Sequence, residues 1–364
     1  MTEALVSCSE RALRRLPGEA GKISIVVIQH LRRDTQLAIS QMRLAGLDLA
    51  LVLGISYSVD SSALADLRGA GVLVEVCAIS AMTQRLKSFL HGSEDRSVIL
   101  VDVGGYGADL VAEAEFARKI VGVVEETNNG LWRYEKSATL VPVVQIARCP
   151  NKNPENVEVG EAVVSATIKV LQALQRDSSD ERFAVFGYGG IGENVMASLA
   201  RRGLDGAIFD TNPARRMLGH VRGFPAPGRQ ALLSNASVII GCSGQPSIFA
   251  SDAHILRTDT LLVSGSSKRI EFSEYVASHP FSDMVCELGF ASETDGQIIL
   301  INRGEPINFV FGSLSPEIGD FQFANIIGGI EFLLDGLPAA GVHELPGHLQ
   351  SKIAEDWLTT YLSG

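Results

Sequence analysis

Short apolar runs alternate with amphipathic stretches along most of this chain. Residues 23–28, 49–53, 72–76, 98–103, 120–124 and 141–146 read as strands, and helices are expected up to residue 45 and over 61–68. The strands are apolar at consecutive rather than alternate positions, which suits a sheet covered on both faces. The first half is therefore expected to be a parallel sheet flanked by helices. A long helix is expected over 157–174, and the polar segment 175–182 after it marks a domain boundary. A second βα series follows, with strands at 183–186, 206–209, 238–240 and 261–263. Residues 323–334 read as a helix that returns to the first domain, and 342–364 as an amphipathic tail packed on a surface or a partner subunit.

The second series opens on the most specific pattern in the sequence. After the run 183–186, Gly187, Gly189 and Gly192 stand at G-x-G-x-x-G spacing, followed by an amphipathic segment that Gly203 stops. The first glycine of such a turn permits the tight bend, and the second lets backbone N–H groups approach a pyrophosphate. The third allows close helix–strand packing, with the helix N-terminus facing the anion. The next strand ends in Asp210, placed to accept hydrogen bonds from a ribose diol. A carboxylate there repels a 2′-phosphate, so NAD is expected over NADP, although Arg215 and Arg216 stand nearby. The expected cofactor contacts are Gly187, Gly189, Gly190, Ile191, Gly192, Asp210 and Asn212, joined by Ser243 and Gly265 from the turns 241–244 and 265–267. A glycine-rich βα turn that binds nothing is the competing reading, and the matched strand, helix and acid weigh against it.

Composition narrows the partners. A 364-residue chain with 46% hydrophobic and 20% charged residues can bury two cores. Its net charge of −11, without a run of Lys or Arg, argues against nucleic acid or anionic lipid and leaves small polar molecules as partners. No apolar stretch approaches the length of a membrane span and the N-terminus lacks a signal-peptide apolar region, so a cytoplasmic protein is expected. Cys8, Cys77, Cys149, Cys242 and Cys286 are scattered without Cys-x-x-Cys spacing. They indicate neither a disulfide framework nor a metal site, and are expected as small buried hydrophobes.

Polar residues collect where the strands of the first half end. His30, Arg32, Asp34 and Thr35 form one group, Asp102, Gly104 and Gly105 a second, and Glu125, Glu126, Thr127, Asn128 and Asn129 a third. Ligands of open α/β sheets sit beyond the carboxyl ends of strands, so these groups are candidates to line one pocket. Asp34 as a helix cap and 128–130 as a plain turn are the structural alternatives.

The run Val123-Val-Glu-Glu-Thr-Asn-Asn-Gly130, the Gly-Tyr-Gly-Gly-Ile-Gly turn, Pro306-Ile-Asn308 and Phe323-Ala-Asn325 together resemble S-adenosylhomocysteine hydrolase, from about residue 22 to about residue 336. The resemblance implies an α/β fold of two doubly wound parallel-sheet domains, an NAD-binding Rossmann domain inserted into a Rossmann-like substrate domain. By it, residues 1–158 begin the substrate domain, 180–312 form the NAD-binding domain, 313–342 return to the substrate domain and 343–364 are a C-terminal helical tail. It also implies a homodimer or homotetramer and no metal. It gives catalytic roles to His30, Glu126 and Lys152, substrate contacts to Asp34, Thr35, Thr127 and Asn156, and a cofactor contact to Asn308. In that family NAD oxidises the ribose 3′-hydroxyl, which acidifies the C4′ proton and lets the 5′ thiol leave; water then adds and the hydride returns. A cation at Lys152 favours a developing alkoxide.

The chain departs from the family's pattern at the later steps. Asp-Asp-Gly-Gly-Asp becomes Asp102-Val-Gly-Gly-Tyr106, with Val103 in place of an acid. Ser266 and Ser315 replace the histidines of Asn-x-Gly-His and Gly-His-Pro, and the Asp-Asn pair after the lysine is displaced to Glu155-Asn156. Ser-Thr-Gln-Asp is reduced to Tyr57-Ser-Val-Asp60, and the family's C-terminal Lys and Tyr lack a counterpart in the last residues. An apolar side chain moves no proton, and each lost acid–base group costs on the order of a hundredfold. The expectation is a divergent NAD-dependent enzyme that oxidises a hydroxyl, with elimination, epimerisation or re-reduction, on a small polar or nucleoside-like molecule. Genuine adenosylhomocysteine hydrolysis and a non-catalytic NAD- or nucleoside-binding role are the alternatives.

Overall fold

The structure, a computed structural model, describes residues 6–18, 20–93, 96–266, 268–284, 292–294, 298–310, 312 and 314–362. Ser267 and Cys286, and residues 1–5 and 363–364 of the expected domain ranges, lie outside the described residues. The chain begins with α1 (Cys8–Leu13), β1 (Ser24–Gln29), α2 (Arg33–Leu44), β2 (Asp48–Ile55), α3 (Ser61–Gly69), β3 (Val74–Cys77) and α4 (Met82–Gly92). It continues through β4 (Val98–Asp102), α5 (Ala114–Ala117), β5 (Ile120–Glu125), α6 (Asn128–Lys136), β6 (Pro142–Gln145) and α7 (Asn153–Ala173). Next come β7 (Phe183–Phe186), α8 (Gly190–Arg201), β8 (Gly206–Phe209), α9 (Pro213–Val221), α10 (Arg229–Asn235), β9 (Val238–Gly241) and β10 (Thr260–Ser264). The last elements are α11 (Ser273–Ser278), β11 (Ser282–Met284), β12 (Ser292–Thr294), β13 (Ile298–Leu300), α12 (Pro316–Leu334), β14 (Gly341–Glu344) and α13 (Gly347–Tyr361). Contacts divide this chain into unit 1, residues 1–152 with 315–364, and unit 2, residues 153–314.

Unit 1 is built on a parallel sheet ordered β14-β6-β5-β4-β1-β2-β3. The order reverses between β1 and β4, the switch point where a doubly wound sheet opens a crevice beyond its strand ends. Every residue of β1 and β4 is buried, and this explains their uninterrupted apolar runs. Val27 and Val101 face a core with Ile39 and Met42 of α2, Ile327 and Ile330 of α12 and Ile353 of α13. Val26 and Leu100 face the opposite core with Leu86, Phe116 and Tyr134. The C-terminal tail, expected to be helical throughout, instead begins with β14, which pairs in parallel with β6, Val342 opposite Val143. Its four residues alternate between half-buried and exposed, too short a signal to outweigh the helical pattern that follows.

Unit 2 has the order β11-β12-β13-β10-β9-β7-β8, with β11 and β12 antiparallel to their neighbours and the rest parallel. Its switch point lies between β7 and β9. Val185, Ile240 and Val263 pack against Val163 and Val170 of α7, and Phe186, Ile239 and Leu262 against Leu233, Phe272 and Tyr275. The fold is thus α/β with two largely parallel sheets. No helix among the described residues is long and apolar enough to cross a membrane.

One carboxylate fastens the N-terminal helix of unit 1. Asp320 of α12 accepts from the Cys8 N–H at 2.6 Å, the Ser9 N–H at 3.1 Å, the Ser9 hydroxyl and the Tyr361 hydroxyl at 2.9 Å. It caps α1 and ties that helix to α12 and α13. Asp320→Ala removes the acceptor of the Cys8 and Ser9 N–H groups and of the Tyr361 hydroxyl, while the Ser9 hydroxyl keeps Gln41 Oε1 at 2.7 Å, and urea unfolding should show a loss of about 2–4 kcal/mol. A loss below about 0.5 kcal/mol would mean that water replaces the cap without cost.

Candidate functional site

In unit 2 the turn between β7 and α8 has the close packing its glycines require. Gly187 is left-handed, with φ 94°, and a Cβ there would stand 2.6 Å from the Ser243 backbone in the turn after β9. A Cβ on Gly192 would run into the Gly187 carbonyl oxygen, so only glycine lets α8 start this close to the strand. Gly189 occupies the N-cap of α8, which no side chain caps. A Cβ there would meet only Arg215, with Nη1 at 3.4 Å. Gly190 packs against Asn156 of α7, whose Nδ2 is 2.6 Å from a Cβ built at that glycine, and Ile191 is a half-buried part of the core. Asn156, expected as a substrate contact, therefore stands beside the glycine turn.

Asp210 follows β8 and is buried. Its Oδ2 accepts from the Tyr188 N–H and its Oδ1 from the Asn212 N–H, both at 2.7 Å, and Arg215 Nη1 lies 3.9 Å from Oδ2. Asn212 caps α9 by accepting from the Ala214 N–H at 2.9 Å. The turns after β9 and β10 meet at Glu271, a fully buried carboxylate that sequence reasoning did not single out. It accepts from the Gly244 N–H at 2.6 Å, from Ser243 Oγ at 2.9 Å and from the hydroxyls of Ser247 and Ser266. Burial pushes its carboxyl up, and the surrounding donors hold it back. Gly265 packs beside Cys242, with Sγ 2.9 Å from a Cβ built there, and Asn308 is buried just after the Ser264–Pro306 bridge.

In unit 1 the strand-end groups fall into two layers. The deeper one is Asp102 and Glu125, both fully buried. Glu125 accepts from the N–H groups of Gly104 at 3.1 Å, Gly105 at 2.9 Å and Thr127 at 2.7 Å, and from Thr127 Oγ1 at 2.6 Å. Gly104 and Gly105 have φ of 113° and 70°, the left-handed bend that aims both N–H groups at one carboxylate. Asp102 Oδ2 accepts from the Gly107 N–H at 2.8 Å and from the Tyr134 hydroxyl at 2.7 Å, while Oδ1 has no hydrogen-bond partner among the described residues.

Above this layer, Gln29 at the end of β1 links two predicted residues. Its Oε1 accepts from the His30 N–H and its Nε2 donates to Glu126 Oε1, each at 2.8 Å. His30 Nδ1 lies 2.6 Å from Ser58 Oγ, and Ser58 Oγ is 3.2 Å from the Ile55 carbonyl. If the hydroxyl proton goes to that carbonyl, Nδ1 carries its own proton and Nε2 the lone pair. Thr127 caps α6 by accepting from the Gly130 N–H at 3.1 Å. Asp34 and Thr35 lie in the first turn of α2, whose cap position is Arg32, and burial pushes the Asp34 carboxyl up. Lys152 closes the short turn Pro150–Lys152 after β6. His30 thus follows β1 while Glu126 and Thr127 follow β5, on either side of β4, with Gln29 bridging His30 and Glu126, whereas Asn156 lies on α7 in unit 2. Of the groups sequence reasoning missed, Gln29 had one available signal, its place at the end of a buried strand. Ser58 lay within the Tyr57–Asp60 stretch already compared with the family's Ser-Thr-Gln-Asp, and Tyr134 had no signal.

No known family model matches the chain. It is 27% identical over 334 residues to an uncharacterized protein found in two strains of Mycobacterium tuberculosis, a match covering 83% of this chain and 61% of each relative. The chain therefore spans less than two thirds of the length of those relatives. The adenosylhomocysteinase of Sulfolobus acidocaldarius is 20% identical over 349 residues, 91% of this chain and 83% of that enzyme. Among solved structures, a Thermus thermophilus protein matches with a TM-score of 0.50 and 12% identity, over 87% of this chain and 99% of the other. That match bears on the α/β fold alone.

Burial, and then the charge of Asp102, pushes Glu125 from its ordinary 4.5 up to about 8. The folded protein binds a proton over this interval that the unfolded chain has released. Its contribution to stability is therefore complete below pH 4.5 and lost as pH rises through about 8. Urea unfolding at a series of pH values should show stability falling across this window, with the slope reduced in Glu125→Gln. A wild-type profile that does not fall would mean the backbone donors outweigh burial and keep the carboxylate ionised.

Proposed function

We propose that unit 2 holds NAD and that the chain is a divergent adenosylhomocysteinase-like enzyme, one that carries out redox chemistry on a hydroxyl of a small polar or nucleoside-like molecule. The observation that carries this reading is the β7–α8 turn. A close-packed glycine bend, a helix N-terminus without a side-chain cap and a carboxylate fixed at the end of the next strand together make a site for a dinucleotide. The Gly187–Gly192 turn and Asp210 would hold the cofactor, with Asn212, Ser243, Gly265 and Asn308 around them. Bound there, NAD supplies a hydride acceptor. In this reading unit 1 takes the substrate. His30 Nε2 and Glu126 exchange protons with it, and Lys152 offers the cation that favours an alkoxide.

Three positions bear on the class of reaction. Val103 is a core residue, Ser266 is bonded to Glu271, and Ser315 caps α12 by accepting from the Ile318 N–H at 3.4 Å. Each side chain has a structural task, and none brings an imidazole or a carboxylate. This favours oxidation, epimerisation or re-reduction over thiol elimination and water addition.

The test is to denature the purified protein, identify the released nucleotide by mass spectrometry, and follow NADH absorbance when intact protein meets adenosine or adenosylhomocysteine. Released NAD and its reduction by a nucleoside are expected. NAD that stays oxidised with every hydroxylated substrate tried would favour a binding role without catalysis. Gly189→Val fills the open side of the turn and should lower NAD retention at least about tenfold. Unchanged NAD content in that folded variant would remove the assignment.

A further inference from the structure

The two arginines that follow Asp210 have different surroundings. Arg216 is committed to packing: its Nη2 donates to the carbonyls of Ala226 at 3.2 Å and Pro227 at 3.1 Å, and its guanidinium lies 5.1 Å from the centre of the Phe209 ring. Arg215 is half exposed and turns the other way, 3.9 Å from the Asp210 carboxylate. Its Nη1 is also 3.4 Å from the point where a Gly189 side chain would begin. One cation thus spans the gap between the acid expected to hold a ribose and the turn expected to hold a pyrophosphate.

Asp210 is itself constrained. Both oxygens accept backbone N–H groups, Tyr188 on one and Asn212 on the other, so the carboxylate cannot swing away when a larger group arrives. Its charge would repel a phosphate on the ribose 2′-oxygen, but Arg215 lies close enough to offset that repulsion and to donate to phosphate oxygens. Asp210 has Arg215 as its ion-pair partner, and Glu193 of α8 pairs separately with Arg222 at 2.6 Å. Arg215 thus offsets the charge of Asp210, where an acid alone would leave the position negative.

We infer that the site accepts the 2′-phosphorylated dinucleotide NADP alongside NAD, and that Arg215 is the residue which determines this tolerance. The inference rests on the dinucleotide reading of the glycine turn given above. The same carboxylate receives the diol of NAD, and the same guanidinium receives the 2′-phosphate of NADP.

Isothermal titration of the full chain, freed of bound nucleotide, with NAD and separately with NADP tests this. Wild type should bind NADP within about a hundredfold of NAD. Arg215→Ala should weaken NADP on the order of tenfold or more, the size expected for a lost charge-assisted hydrogen bond, and change NAD less than about threefold. Arg215→Lys keeps the charge without the guanidinium fork and should retain part of the NADP affinity. Wild type that binds NAD but not NADP, or an NADP to NAD ratio that Arg215→Ala leaves unchanged, overturns the inference while leaving the glycine-turn assignment in place. Failure of wild type to bind either dinucleotide overturns both.

Discussion

A carboxylate buried against the backbone N–H groups of a turn is the interaction on which the strand-end loops of both units depend. Glu125 gathers Gly104, Gly105 and Thr127; Asp210 gathers Tyr188 and Asn212; Glu271 gathers Gly244 and three serine hydroxyls. A buried carboxyl without hydrogen-bond partners is costly, and backbone donors without an acceptor are costly in turn. Each acid and its loop therefore specify one another, and the loop loses most of its alternatives. The left-handed glycines at 104 and 105 follow from this, because the bend must bring successive N–H groups onto a single carboxylate.

The arrangement separates support from chemistry. In unit 1 the supporting acids are sealed, whereas His30 and Glu126 above them are held through Gln29 and Ser58. In unit 2 Glu271 joins two turns from beneath, and Arg215 remains partly exposed beside Asp210. Side chains that are themselves held by hydrogen bonds can be presented to a ligand without reordering. Ser266, which donates to Glu271, and Ser315, which caps α12, fit the same division, since both serve the scaffold.

What could be read from the chain followed the range of the interaction that determines it. The strands of both units were visible because burial on two faces demands continuous apolar runs, and the glycine turn because its packing is local, within the six residues from Gly187 to Gly192. Glu271 was not visible because its serine partners on the β9 turn lie 24 to 28 residues away in sequence. The apolar and polar pattern alone does not separate the adjacent Glu125 and Glu126, which only the family resemblance distinguished, since which acid is sealed and which reaches Gln29 depends on a strand from elsewhere in the sheet. The strand β14 was absorbed into a tail because its partner, β6, is distant in sequence.

That return of the chain to β6 also has a consequence in time. Unit 2 is one continuous segment, whereas unit 1 needs α12, β14 and α13 from beyond it. A ribosome adding roughly 5–20 residues per second leaves the first 152 residues waiting on the order of tens of seconds for their last strand and for the helix carrying Ile327 and Ile330. Unit 2 can complete its sheet within that interval, while β6 is still an open edge and one face of the first sheet still lacks its cover. The half of the protein made first is thus the half that finishes last.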